Sequence, residues 1–290
     1  MTRPVCALTG ASGYVGSVLR PALESAGWKV VDLSRRAIAD PASRDQMSWS
    51  LGAANTPIQA QLQERGVSAL VHAAWDLSLS NPREMERVNV QGSLALFEQA
   101  RLANLRRTVF ISSISAFAGA RSLYGRHKLA VEHAALASGG LVIRPGMVYG
   151  EPAGAIFAAL KRQAGRSSII PIIGDGSYPQ FLVHHDDLAS AVVHALAAAP
   201  PPQVPVTVAH RHPWPLRILL EELARAQANA PHLLSLPWPL FYAALRAAEG
   251  LHLRTGFRSD SVLSLVYQNP QPEMNAALLG VEPRLFSPGS

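Results

Sequence analysis

The segment Thr9-Gly10-Ala11-Ser12-Gly13-Tyr14-Val15-Gly16 decides how this chain is read. Ahead of it, Val5-Cys6-Ala7-Leu8 is a short apolar run of the kind that fills a fully buried strand. Behind it, Val15, Val18, Leu19, Ala22, Leu23 and Ala26 recur at helical spacing until Gly27 stops the run. The glycines therefore sit in a strand-to-helix turn. There Gly10 allows the tight bend, Gly13 lets backbone approach a pyrophosphate, and Gly16 lets helix and strand pack closely. The bare N–H groups of the first helical turn face the anion. The spacing predicts a nucleotide-binding turn, to which Ser12, Tyr14 and Val15 also contribute.

From this turn onward strands and helices alternate, the pattern of βαβ units and a parallel sheet. Strands are expected at Val30–Leu33, Ser68–His72, Thr108–Ile111 and Leu141–Arg144, and helices around Ile58–Leu62, from about Pro82 to Ala103 and over Leu123–Ala137. The passage from Asp40 to Pro57 reads as irregular. After Tyr149-Gly150 the pattern loosens into apolar helices (153–163, 188–199, 216–226) separated by proline-rich segments. The stretch Leu233–Leu251 reads as one amphipathic helix, for the lobe, for a dimer or for a membrane surface. The expected fold is α/β, a Rossmann-like doubly wound parallel sheet over residues 1–150. A smaller substrate lobe over 151–290 returns elements to the sheet near 181–199.

Composition narrows the function. A chain that is 48% hydrophobic and 16% charged is not disordered. No apolar run reaches the length of a membrane span, and the N-terminus enters a core strand without the layout of a signal peptide. With Cys6 as the only cysteine no internal disulfide can form. A cytoplasmic protein is expected, with Cys6 an inert core residue. The net charge of +6 invites a nucleic-acid reading, but the arginines are scattered and no aromatics interleave with them as stacking platforms. A basic cleft for a phosphorylated cofactor or substrate explains the charge equally well.

Three groups carry chemistry. Tyr124 and Lys128 lie one helical turn apart on one face, where an ammonium lowers a neighbouring phenol's pKa. Ser112, Ser113 and Ser115 stand at the exit of a strand, where a hydroxyl can bond a carbonyl as charge develops on it. In His184-His185-Asp186-Asp187 the simpler reading is an aspartate capping the helix from Leu188 rather than a metal site, and no metal is expected.

Together the glycine turn, the serine strand end, Tyr124-x-x-x-Lys128 and Arg144-Pro145-Gly146-Met147-Val148-Tyr149-Gly150 resemble the extended short-chain dehydrogenases. More narrowly they resemble the NAD(P)-dependent epimerase/dehydratase group that acts on nucleotide sugars. Val71-His72-Ala73-Ala74, Val88-Asn89-Val90-Gln91-Gly92 and Phe181–Leu188 fit in order, and Leu278–Pro283 is similar to a family C-terminal ending. The resemblance implies Tyr124 as general acid/base and Lys128 as its tuner and a holder of the nicotinamide ribose. It implies Ser113 as the residue that orients the reacting oxygen, with Ser112 the alternative by a one-residue shift. It also places Ala73, Ala74, Asn89, Pro145 and Val148 beside the cofactor, with Asn89 organising the active-site backbone, and suggests a homodimer through the helices starting near Pro82 and Leu123.

Two departures bear on the cofactor. At the tip of the second strand, where NAD users of the family carry an acid, stands Ser34, followed by Arg35-Arg36. Asp32 comes two residues too early. A small hydroxyl before arginine suits a ribose 2′-phosphate, which favours NADP over NAD. The position for adenine contact is Ser50. Dehydratases of the group carry an acid pair after the serine, where this chain has Ile114-Ser115, which argues against dehydration. The expected activity is hydride transfer at a sugar or related carbinol carbon, as an epimerase or, if hydride is not returned, as a reductase. The alternative of another class is a non-catalytic nucleotide-binding sensor or assembly factor. Arg166, Arg217 and Arg258 are candidate substrate contacts in the lobe.

Overall fold

Strands β1 (Val5–Thr9) and β4 (Val67–His72) are buried on both faces along most of their length, as strands inside a parallel sheet must be. A computed structural model describes residues 3–35, 45–53, 57–151, 153–251, 253 and 257–288. It places these two strands side by side at the centre of a seven-stranded sheet. On one flank follow β2 (Lys29–Ser34) and β3 (Gln46–Ser48), and on the other β5 (Arg107–Ile111), β6 (Leu141–Pro145) and a late strand, Val206–Val208. Every neighbouring pair is parallel. The strand order reverses between β1 and β4, so their C-terminal ends flank the crevice where open α/β sheets bind ligands.

Helices cover both faces. Against one pack α1 (Tyr14–Ser25) and a helix from the second half, His185–Ala197, closing over Cys6, Leu8, Leu19, Leu23, Val192 and Ala195. Against the other lie α2 (Gln59–Glu64), the 82–102 helical run and α5 (Leu123–Ala137), closing over Val31, Met47, Leu62, Phe97, Phe110 and Val131. Burial pushes the Cys6 thiol up to about 12, so it stays protonated in the core.

The long helix from Pro82 is three segments: α3 (Pro82–Met85), a π-helical turn over Glu86–Gln91, and α4 (Gly92–Leu102). Apolar spacing does not separate these forms. The widened turn is where Asn89 sits, and Gly92 comes so close to Leu51 that an added Cβ would stand 1.9 Å from its carbonyl oxygen. Within the passage read as irregular, β3 pairs with β2 and buries Met47 completely. A three-residue edge strand carries too little pattern to be seen in sequence.

The second half divides its residues. In the sheet layer, β7 (Met147–Tyr149) pairs with β10 (Leu182–His184), α7 (His185–Ala197) packs on α1, β11 is Val206–Val208, and Ala276, Leu279 and Val281 enter the first core. The lobe proper comprises α6 (Ala155–Arg166), β8 (Ile169–Ile173), β9 (Pro179–Gln180), β12 (Trp214–Pro215), α8 (Leu216–Arg225), β13 (His232–Leu236), α9 (Trp238–Gly250) and α10 (Ser259–Val266). Its core is Phe157, Ile170, Ile172, Leu219, Leu220 and Leu223. The stretch Leu233–Leu251 is thus not one helix. Its first residues pair with β8 as a strand, and Pro237, which lacks an N–H, separates that strand from α9.

Candidate active site

The glycine turn is built by steric necessity. Gly10 has φ +74°, and a Cβ there would lie 2.8 Å from the Ala74 nitrogen. At Gly16 a Cβ would lie 2.1 Å from the Gly10 carbonyl oxygen, so helix and turn touch through hydrogen alone. Gly13 meets only the Gly10 oxygen, at 3.3 Å, and leaves its outer side open. Helix α1 has no side-chain cap and no acidic residue in its first turn, so its leading N–H groups suit an anion. Ser12 is exposed in the turn, while Val15 packs on the core. Tyr14 bends toward the lobe. Its hydroxyl bonds His185 Nδ1 at 3.2 Å and its ring lies against Gly154. Burial pushes the Tyr14 phenol up to about 12.

A buried relay fixes the opposite wall. Thr9 Oγ1 accepts the N–H groups of both Ala73 and Ala74 at 3.1 Å, so its own proton must go to His72 Nδ1, 2.7 Å away. His72 Nε2 therefore carries the hydrogen and donates to Ser93 Oγ at 2.8 Å, and Ser93 donates to the Asn89 carbonyl at 2.5 Å. Burial, with Lys128 nearby, pushes His72 down to about 3, which keeps the ring neutral as this chain of donors requires. Asn89 accepts from the Asp76 N–H at 2.7 Å and donates to its carbonyl at 3.0 Å. Both amide atoms are thereby used on backbone. Asn89 ties down the 73–76 wall, as an asparagine that organises the active-site backbone would.

Tyr124 opens α5. Ser122 caps the helix through the Gly125 N–H at 3.1 Å. From the lobe, Asp260 accepts the Leu123 N–H at 2.7 Å and the Tyr124 N–H at 3.0 Å. The Ser113 side chain stands close enough to the Tyr124 phenol to lower its pKa, whereas Ser112 Oγ is buried without a partner. Of the two serines, then, Ser113 is brought to the tyrosine. Lys128 is buried one turn on, donating to the Ile111 carbonyl at 2.8 Å, with its Nζ 4.0 Å from the Trp75 ring centroid and 4.7 Å from that of Phe110. Trp75 also stands edge-on to Tyr124, with ring centroids 6.1 Å apart.

The electrostatics differ from the expectation. Burial outweighs the effect of Ser113 and raises the Tyr124 phenol above its ordinary value. Lys128 does not reverse this, because burial pushes its own ammonium down to about 7, against the pull of Glu132. A lysine protonated to pH 10.5 when unfolded and to about 7 when folded makes the unfolded state bind more protons in between. Unfolding free energy should therefore rise with pH across that window, the burial penalty being complete below it. Melting temperature measured from pH 7 to 10 should climb more steeply in the wild type than in Lys128→Met; equal slopes would show that Lys128 keeps its proton.

At the adenosine end, Ser34 closes β2 and Arg35 is largely exposed, 3.9 Å from Asp76. Asp32 is paired with Arg20 through Oδ2, while its Oδ1 is buried without a partner. Arg36 lies outside the described residues. Pro145 ends β6, where its carbonyl accepts from Ile114 at 3.0 Å, and Val148 lies half-buried in β7. The histidine-aspartate run corrects the capping assignment: α7 begins at His185, and His184 Nδ1 caps it by accepting the Asp186 N–H at 3.2 Å. Asp187 instead holds Arg284 through Nε at 2.9 Å and Nη2 at 2.6 Å. Ligand atoms of His184, His185 and Asp186 lie within 4.8 Å of one another, yet each group already has a protein partner. Two candidate substrate contacts are also committed internally. Arg217 binds the Asp175 carbonyl and Ser235, and Arg258 the Leu77 and Leu79 carbonyls. Arg166 is exposed at the end of α6.

Comparison with known proteins agrees with this architecture. A ceramide reductase of Caulobacter vibrioides is 29% identical over 240 residues, which make up 82% of this chain and 75% of that protein. The solved UDP-glucose 4-epimerase of Thermotoga maritima, with UDP-glucose, superposes at a TM-score of 0.74 and 19% identity over 98% of this chain and 95% of its own. The UDP-glucuronic acid 4-epimerase of Bacillus cereus, in complex with UDP-glucuronic acid and NAD, does so at 0.73 and 17%, over 98% and 95%. The two structures share the fold. A model of the NAD dependent epimerase/dehydratase family matches residues 6–207, the span that holds the glycine turn, the relay and the tyrosine–lysine helix. On that match the chain belongs to the NAD-dependent epimerase/dehydratase family, enzymes of the extended short-chain dehydrogenase type.

Proposed function

We propose that this enzyme is an NADPH-dependent reductase of a ketone borne on an apolar, ceramide-like lipid. The observation that carries the reading is the rim of the tyrosine site. Trp75 leans on Tyr124, Leu77 on the same loop is 65% exposed, and Phe257 is held beside that loop by Arg258. A nucleotide sugar needs cations for its pyrophosphate, and of the three candidate arginines Arg217 and Arg258 are spent inside the protein, leaving Arg166 at the end of α6. The likeness to a ceramide reductase supports the same reading.

The residues divide the work as follows. Gly10, Gly13 and the start of α1 hold the dinucleotide pyrophosphate, and Arg35 meets the 2′-phosphate that distinguishes NADP, with Ser34 rather than an acid closing β2. A nicotinamide held there would supply the hydride that the carbonyl carbon takes. Ser113 donates a hydrogen bond to the carbonyl oxygen, and Tyr124 gives that oxygen its proton, yielding the alcohol. A phenol raised above its ordinary pKa is fully protonated at neutral pH, the state a proton donor needs. Lys128 lies on the same helix face to restore charge balance once Tyr124 has lost its proton.

The test is to supply purified enzyme with NADPH or NADH and either a detergent-dispersed keto-ceramide or UDP-glucose. Oxidation of NADPH with the keto-lipid is expected, with NADH slower. Interconversion of the UDP-sugar without net nucleotide oxidation would overturn the proposal in favour of the epimerase reading.

A further inference from the structure

Helix α9 is apolar on both faces. Inward, Phe241, Tyr242 and Leu245 pack with Ile173 and Val262. Outward, Leu240, Ala244, Ala247 and Leu251 recur at helical spacing and are all exposed, Leu240 to 68% and Leu251 to 72%. A helix that is hydrophobic all round is normally covered on all sides. The patch continues toward the catalytic tyrosine. Phe257 packs on Phe241 with centroids 6.1 Å apart, Arg258 ties Phe257 to the Leu77–Leu79 loop, and Asp260 caps the helix of Tyr124.

Charge selects what covers it. Residues 237–266 contain three arginines, two acids and no lysine. Both acids are turned inward: Glu249 accepts from the Ser259 N–H and hydroxyl at 2.9 and 2.7 Å, and Asp260 from the α5 N–H groups. The charge that projects from α9 is Arg246, whose side chain is 62% exposed although its Nη1 lies 3.6 Å from the largely buried Glu249, on a chain of net charge +6. Two copies meeting through this face would bring like charges together, whereas an anionic surface attracts them. A 13-residue helix, about 20 Å long, is too short to span a bilayer but long enough to lie in its interface.

We propose that the outer face of α9 seats the enzyme on an anionic phospholipid bilayer, with the active-site mouth beside the lipid surface. The proposal deepens the lipid-reductase reading by naming where the substrate is met, and it is tested without turnover. Sedimentation with phosphatidylcholine vesicles containing phosphatidylglycerol should carry down the wild type, less so in high salt and less with pure phosphatidylcholine. Leu240→Glu/Leu251→Glu should weaken binding by about a hundredfold, the loss of two leucine burials. Val204→Glu/Leu285→Glu, which adds the same charge at exposed sites off this face, should bind far more tightly than that variant. Circular dichroism and reduction of a small water-soluble ketone should be unchanged in both variants. Failure of the wild type to bind, or equal losses in the two variants, would overturn the proposal. So would a dimer in light scattering that the α9 variant dissociates, which would assign the face to a second copy. Turnover of the soluble ketone reports on the reductase reading alone, so the two can fail separately.

Discussion

Tyr124→Phe should lower turnover by about a hundred- to ten-thousand-fold while leaving nucleotide affinity unchanged, the range expected when a single positioned proton donor is removed. Phenylalanine keeps the edge-on packing against Trp75 and the backbone bond to Asp260, so only the hydroxyl beside Ser113 is lost. Turnover measured with saturating NADPH, beside a fluorescence titration of nucleotide binding, separates the two quantities. Retained turnover would remove Tyr124 from the chemistry and would favour a sensor or assembly role. A loss of nucleotide affinity alone would mean that the phenol holds the ribose.

The largest effect on stability is expected at Glu132. Its carboxylate is fully buried and binds Arg144 through Nε at 2.9 and 3.1 Å and through Nη2 at 2.5 Å, joining α5 to β6. Removing one partner of a buried pair leaves the other uncompensated, at a cost of about 3–5 kcal/mol. Glu132→Ala should therefore lower the melting temperature by about 10 °C. Glu132→Leu/Arg144→Met should recover most of that loss, because two apolar groups of similar volume need no partners. If the double variant melts no higher than the single one, the damage is a packing defect and not an orphaned charge. Glu132 also holds Lys128 up against burial. The single variant should accordingly push Lys128 further down and move the alkaline steepening of the stability curve to lower pH.

What the sequence displays depends on how local the cause is. Gly10 and Gly16 are legible because each is forced by neighbours within a few residues or by the adjacent strand end. The bounds of α5 are legible for the same reason, since Ser122 precedes an apolar-periodic run. Asp260 is not, for it reaches the start of α5 from the far lobe, more than 130 residues along the chain, and no local pattern marks it. His184 took the capping role expected of an aspartate because Asp187 is drawn off by Arg284, another distant partner. Trp75 is a site residue that a sequence reading misses. Its signal is a large aromatic directly after the small pair Ala73-Ala74 at a strand exit, where it joins Phe110 against Lys128. The π-helical turn at Asn89 left no trace, since three- and four-residue spacing reads alike in either helix.

The double hold on the start of α5 has a consequence for recombination among relatives. Ser122 comes with the nucleotide-binding half, but Asp260 comes with the lobe. A hybrid that exchanges lobes to acquire a new specificity inherits the helix of Tyr124 with only one of the two holds unless the incoming lobe carries an acceptor at the position of Asp260. Exchanges along this boundary are therefore constrained by a backbone contact that no comparison of substrate-contacting residues would reveal.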